Sequence, residues 1–288
     1  MELSLGLVVS YKEKGLGVIV LNNPEGGNLL NEGFLNQFKQ AFDQFKHSAD
    51  VRAILYRSSE SVFCLGMDLG KVSNTLEKKA EDARAAASGK SSVSWEIRKS
   101  IALYSDMVAD IYECPKPVIA FVRGEVKAGG FGLACSADIV IATPEASFEL
   151  SEVIFGLIPA NVMLAVMGLR ILPQRLKYLV LSSKRISAAE AYALGLVDEI
   201  VEKENAEKTL RDIVKRLFRS SPEALTETKR FTRVLLDTNM DKARSLAQER
   251  ILGMLGEERV KEALAGFMEG EVPPWFASFK PGTSLTGL

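Results

Sequence analysis

The sequence predicts an α/β fold followed by an α-helical C-terminal region, and three observations carry that reading. Short apolar runs alternate with helical patterns through the first 200 residues. Clusters of glycine, proline and asparagine punctuate them. From Asn205 onward helical stripes continue without strand pattern, and charge is dense. The chain therefore divides into a core, residues 1–200, and a helical region, residues 201–288, of a kind often used for self-association.

Leu7–Tyr11 and Gly17–Leu21 read as two strands around the turn Lys12-Glu13-Lys14-Gly15. A breaker-rich loop, Asn22 to Asn28, follows. Asn31 is placed to cap a helix in which Phe34, Phe38, Phe42 and Phe45 recur at helical spacing, an aromatic stripe that belongs to a core. Val51–Tyr56 reads as a buried strand. Val62 to Leu65 is strand-like and ends at Gly66, with Asp68 where a helix cap would sit. Residues 71–95 are polar and charged, a composition that suits a mobile cover. Ile97–Cys114 is helical and stops before Pro115. Val118–Val122 is a buried strand.

Phe131–Ala137 has a small-residue helical pattern, and Asp138–Ala142 reads as a buried strand. Val162–Leu172 and Leu176–Leu181 read as helices separated at Pro173. Ser187 and Glu190 form a capping box, and that helix ends at Leu194-Gly195. Val197–Val201 is the last strand expected.

Composition bounds the function. The 288 residues are 47% hydrophobic and 25% charged with a net charge of −1, so neither a nucleic-acid partner nor an anionic membrane surface is indicated. No apolar run approaches the ~18 residues of a membrane span. The start, MELSLGLVVSYKEKG, has no basic stretch leading into an apolar one, so a cytoplasmic location is expected. Cys64, Cys114 and Cys135 have no metal-like spacing and suit reduced thiols. The single histidine, His47, lies at a helix end, which leaves Ser-His-Asp and Cys-His chemistry no other histidine to use. Neither a metal nor a cofactor is expected.

The stretch Gly124–Pro159 concentrates the candidate chemistry. Ala128-Gly129-Gly130 opens a helix whose first N–H groups are free to stabilise negative charge, as half of an oxyanion hole does. The same residues also suit plain helix–strand packing. A carboxylate, Glu152, stands before Phe155-Gly156-Leu157-Ile158-Pro159.

Taken together, these pieces resemble the crotonase (enoyl-CoA hydratase/isomerase) superfamily over nearly the whole chain. The resemblance is carried by Asn22-Asn23-Pro24 with Asn28, by Phe63-Cys64-Leu65-Gly66-Met67-Asp68, and by Pro115-Lys116-Pro117-Val118-Ile119-Ala120. It continues through Gly124-x-Val126-x-Ala128-Gly129-Gly130, Asp138-Ile139, Ala146-Ser147-Phe148, Glu152, Gly156-Leu157-Ile158-Pro159, Ser187-Ala188-x-Glu190-Ala191 and Gly195-Leu196-Val197. It implies a spiral of ββα turns with a C-terminal helical trimerisation region, assembled as a trimer or a pair of trimers. It also implies an acyl thioester of coenzyme A or of an acyl carrier protein, with the thioester oxygen held by the N–H groups of Met67 and Gly129.

One departure narrows the chemistry. Hydratases of the family carry two glutamates. The second maps to Glu152, and the first, 20 positions earlier, maps to Gly132. Glu152 is then the one obvious acid/base, with Glu125, Asp68 and Asn161 as candidates for a second proton donor. The segment Leu150-Ser151-Glu152 to Val162, with Gly66-Met67-Asp68, looks closest to the dehydratases of polyketide β-branching cassettes. The expected reaction is thus removal of water from a 3-hydroxy-3-methylglutaryl-type thioester. Cys64, Gly66, Asp68, Lys127, Gly130 and Asn161 are the expected substrate-binding residues, and Lys127 or Arg123 the expected partner of a distal carboxylate. Hydration, isomerisation or decarboxylation of a CoA thioester, and thioester binding without turnover, are the alternatives.

Overall fold

The protein is described by a computed structural model covering residues 3, 4, 6–59, 62–68, 95–167, 170–236 and 238–287. Residues 71–94 of the expected cover lie outside the described residues.

Among the described residues a seven-stranded sheet runs in the order β1 (Leu3–Ser4), β2 (Val8–Glu13), β3 (Leu16–Leu21), β4 (Ala53–Ser58), β6 (Val118–Val122), β8 (Ile139–Ala142) and β11 (Glu199–Ile200). The first three strands pair antiparallel, and the others pair parallel. A four-stranded sheet runs β10 (Ile186–Ser187), β9 (Ser147–Glu149), β7 (Glu125–Lys127) and β5 (Val62–Cys64). Three successive turns each contribute one strand to the large sheet, one to the small sheet, and then a helix: β4, β5 and Trp95–Glu113; β6, β7 and Gly129–Cys135; β8, β9 and, after a 3₁₀ turn, Ala160–Met167. This is the expected spiral of ββα turns.

The parallel strands β3, β4 and β6 are buried along their whole length, because both faces of the sheet are covered. Ile19, Leu21, Ile54, Tyr56, Ala120 and Val140 face one core, with the Phe34–Phe45 stripe of the helix Glu32–His47. Leu16, Val18, Leu55, Ile119, Phe121 and Ile141 face the other. That second face is covered by Ala206, Leu210, Val214 and Phe218 of the helix Lys203–Arg219, with Phe279 and Leu285 from the chain's end. The first helix after residue 200 is therefore a layer of the core. The helices Pro222–Leu236, Met240–Gly256 and Glu258–Met268 follow it.

Most local readings hold, with some boundaries moved. The first hairpin turns on Lys14-Gly15 alone. Both residues have positive φ, as a two-residue type I′ turn requires, so the strands reach Glu13 and Leu16. Asn31 caps the helix Glu32–His47 by accepting from Phe34 N at 3.0 Å. The helix expected to run to Leu172 is Ala160–Met167, and Leu172 is extended (ψ 140°) because it precedes Pro173, which opens the helix Pro173–Ser182. The last strand is only Glu199–Ile200. The capping box at Ser187 and Glu190 is formed in both directions.

Candidate active site

Two loops meet where β5 and β7 end. The strands pair in parallel, Val62 opposite Glu125 and Cys64 opposite Val126, so the residues that follow each strand emerge side by side. The first loop holds Leu65-Gly66-Met67-Asp68, and the second holds Ala128-Gly129-Gly130.

Asn28 fixes the first loop from below. Fully buried, it donates through Nδ2 to the carbonyls of Val62 (2.9 Å) and Phe63 (3.0 Å), and its Oδ1 accepts from Asn23 N at 2.8 Å. Leu65 N donates to Gly27 O at 2.9 Å and Leu30 N to Gly66 O at 2.8 Å. The latter bond belongs to a parallel bridge between Leu30 and Met67 that leaves the Met67 N–H outside it.

Close packing sets the second loop. A Cβ on Gly130 would lie 2.2 Å from Cys64 O, a backbone atom with no room to move. A Cβ on Gly66, whose φ is +89°, would lie 2.7 Å from Ala128 Cβ and 3.1 Å from Gly129 N. Ala128 itself holds φ 48° and ψ −124°, a strained conformation for a residue with a side chain. Its N–H donates to Glu149 O at 3.0 Å. Gly129 is the first residue of the helix, so its N–H has no acceptor within that helix. The N–H groups of Met67 and Gly129 thus come from two backbones in mutual contact.

Glu152 opens a single 3₁₀ turn, Glu152–Phe155, closed by Gly156 in the left-handed region. Its Oε2 is buried and without a hydrogen-bond partner among the described residues. Burial raises its pKa above the ordinary 4.5, against smaller lowering by backbone N–H groups of Glu152 and Ser151. A half-buried carboxylate with one buried, unused oxygen is suited to accept a proton.

The vacancy at Gly132 is filled from elsewhere. A Cβ there would lie 2.2 Å from the Tyr104 hydroxyl and 3.2 Å from Val162 Cα. Tyr104 belongs to the helix Trp95–Glu113, is almost wholly buried, and donates to Gly129 O at 2.7 Å. The sequence reading passes over Tyr104, which falls on the buried stripe Tyr104, Met107, Val108, Ile111. The signal that could have found it is the missing side chain at 132, whose space some other group must occupy.

The remaining candidates are placed as follows. The Cys64 thiol is buried, donates to Asn28 O at 3.1 Å, and is pushed up to about 12 by burial, so it is no nucleophile. Lys127 pairs with Glu125 at 3.4 Å, and Glu125 also pairs with Arg185. Arg185 and Lys127 outweigh desolvation to hold Glu125 below the usual carboxylate range, which makes it a poor proton donor. Arg123 is buried and donates to the carbonyls of Ser58 and Ser59. Asp68 lies in the first loop, half-buried, and Asn161 lies in the first turn of the helix Ala160–Met167. His47 is exposed at the end of its helix. Among the described residues no cluster of three or more His, Cys, Asp or Glu could hold a metal ion, and no helix is long and apolar enough to cross a membrane.

Comparison with known proteins places this geometry among relatives. The family model described as enoyl-CoA hydratase/isomerase matches residues 11–278. Over 257 residues the chain is 29% identical to the bacillaene synthase dehydratase PksH of Bacillus subtilis, covering 89% of this chain and 92% of that protein. Over 263 residues it is 28% identical to a putative enoyl-CoA hydratase of Thermus thermophilus, covering 91% and 98%. The crystal structure of an enoyl-CoA hydratase from Shewanella pealeana shares the fold with a TM-score of 0.83 at 24% identity, covering 94% of this chain and 97% of that one.

Proposed function

Because the chain belongs to the enoyl-CoA hydratase/isomerase family, whose model spans residues 11–278, we propose that it is a carbon–oxygen lyase that dehydrates a 3-hydroxyacyl thioester. The substrate class is a 3-hydroxy-3-methylglutaryl-type group on an acyl carrier protein, in polyketide biosynthesis. The observation that carries this reading is the half-buried carboxylate of Glu152, whose buried Oε2 has no hydrogen-bond partner among the described residues, combined with a glycine at 132. Hydration of an ordinary enoyl thioester by two carboxylates lacks its first member here. The likeness to a dehydratase of bacillaene synthase supports dehydration as the reaction.

In this mechanism the thioester oxygen lies against the N–H groups of Met67 and Gly129. Two fixed donors in a site shielded from water stabilise the charge that develops as the α-proton leaves. Glu152 takes that proton. Cys64, Gly66 and Gly130 hold the donor loops together through backbone packing. Asp68 and Asn161 border the bound acyl chain, and Lys127 turns from Glu125 toward the distal carboxylate.

The helical region, residues 201–288, assembles the enzyme as a trimer or a pair of trimers. Exposed Leu252, Phe267 and Met268 support a further contact there.

A second reading, double-bond isomerisation, is favoured by the single base, since it needs one carboxylate and a protected enolate. Isomerisation is recognised by deuterium shifted within the substrate without loss of water, and the dehydration reading is tested by mass spectrometry of one preparation on crotonyl-CoA and on 3-hydroxy-3-methylglutaryl thioester, both free as CoA and on carrier protein. We expect loss of water from the branched substrate, faster on the carrier, and weak or no hydration of crotonyl-CoA. Vigorous crotonyl-CoA hydration with no action on the branched thioester overturns the assignment. Binding across the panel without turnover makes the protein a thioester-binding module instead.

A further inference from the structure

We propose that the Tyr104 hydroxyl protonates the leaving C3 hydroxyl, standing in from the helix Trp95–Glu113 for the carboxylate that residue 132 does not carry. This rests on the dehydration reading above. The geometric basis is the coincidence at Gly132. The first atom of any side chain there would fall 2.2 Å from the Tyr104 oxygen, so the phenol stands where a side chain at 132 would begin. The hydroxyl is held there by donating to Gly129 O at 2.7 Å, and Gly129 also supplies one of the two oxyanion donors. Val162 Cα, 3.2 Å from the same point, closes another side.

A phenolic O–H turns about its C–O bond. A substrate hydroxyl at this point therefore competes with Gly129 O for the Tyr104 proton, while the ring stays in place. The step balances as follows. Glu152 removes the α-proton, and that electron pair forms the carbon–carbon double bond by way of the enolate. The C3–O bond breaks, and the departing oxygen takes the Tyr104 proton and leaves as water. The phenolate regains a proton from the Glu152 carboxylic acid through the released water, which restores both groups. Burial raises the phenol well above its ordinary 10, and the Glu152 charge raises it further. Neutralising Glu152 removes that second contribution just as a proton is needed.

The test uses Tyr104→Phe, which keeps the ring and its packing. Two reactions are followed: dehydration of the 3-hydroxy-3-methylglutaryl thioester, and exchange of α-hydrogen for solvent deuterium in a saturated thioester without a C3 hydroxyl. We expect dehydration to fall by ~10²-fold or more, with exchange within about twofold of wild type. Dehydration near the wild-type rate overturns the inference. An equal fall in both reactions also overturns it, since it makes Tyr104 only a support for Gly129. A second pair keeps the idea falsifiable if Tyr104→Phe misfolds. Tyr104→Ala combined with Gly132→Glu should dehydrate at least about tenfold faster than Tyr104→Ala alone, and no gain overturns the inference. If wild type itself dehydrates no 3-hydroxyacyl thioester, the underlying reading has failed and the role of Tyr104 falls with it. That outcome is recognised by the wild-type assay alone.

Discussion

Gly66 and Gly129 stand back to back across the two loops: a Cβ on Gly66 would lie 3.1 Å from the Gly129 nitrogen. That contact brings together the loops that carry the N–H groups proposed for the thioester oxygen. It also explains why the loops must come from neighbouring parallel strands, since β5 and β7 deliver them at the same end of the small sheet.

The oxyanion assignment is tested by removing one donor. Gly129→Pro deletes the N–H and keeps the φ of a first helical residue, but it strains Ala128, whose φ 48° and ψ −124° lie outside the extended region a residue before proline adopts, so folding must be checked alongside activity. The Leu30 Cδ1 atom, 2.7 Å from a Cβ at 129, must swing aside, and it is the end of a flexible chain. Turnover should fall by about 10²–10³-fold with an unchanged circular dichroism spectrum. Gly129→Ala, which keeps the N–H, should retain most activity. Full activity in a folded Gly129→Pro variant would locate the donors elsewhere.

Glu152 carries a pH signature. Burial holds its folded-state pKa above the ordinary 4.5, so the folded protein binds its proton more tightly than the unfolded chain. Stability is therefore unaffected below the ordinary value, declines as pH rises through the raised value, and stays reduced above it. Glu152→Gln cannot ionise. Its melting temperature should exceed that of wild type near pH 8 and match it near pH 4. Its turnover should be lower by about 10²–10⁴-fold, with thioester affinity nearly intact. In the wild type the acid limb of kcat/KM should lie above the usual carboxylate range.

Gly132 and Tyr104 should be coupled in stability. A methyl group at 132 meets the Tyr104 oxygen at 2.2 Å and Val162 Cα at 3.2 Å. Gly132→Ala should therefore cost about 1–3 kcal/mol by overpacking. Adding Tyr104→Phe removes the nearer obstacle and should recover part of that loss. Denaturant titration of the two single variants and the double variant measures the coupling, and strict additivity would deny the contact.

Two other glycines contrast by location. Gly130→Ala would press a Cβ against the Cys64 carbonyl at 2.2 Å and should yield little folded protein. Gly253, inside the helix Met240–Gly256, has nothing within 4 Å of its Cβ position. Gly253→Ala should raise stability by about 0.4–1 kcal/mol through helix propensity and a less free unfolded chain. Thermal melts of both variants provide the check.

Much was legible in the amino-acid sequence because its signals are local. The phenylalanine stripe from Phe34 to Phe45, the Asn31 cap and the Ser187–Glu190 capping box depend on residues within a few turns of one helix. The order of strands and helices, the two glycine loops and the carboxylate at 152 could be read from spacing and residue type, and the absent partner at 132 from the resemblance to a family that carries two glutamates. What covers each face of a sheet depends on residues far apart in the chain. Only the tertiary structure decided that Val214 and Phe218 cover the outer face of β3 and β4, so that the tail begins as core. The orphaned oxygen of Glu152 depends on what surrounds it in space, which no local pattern records. The same holds for Gly132, where the sequence by itself determined a missing side chain, and packing alone determined that the hydroxyl of Tyr104, 28 residues earlier, fills its place.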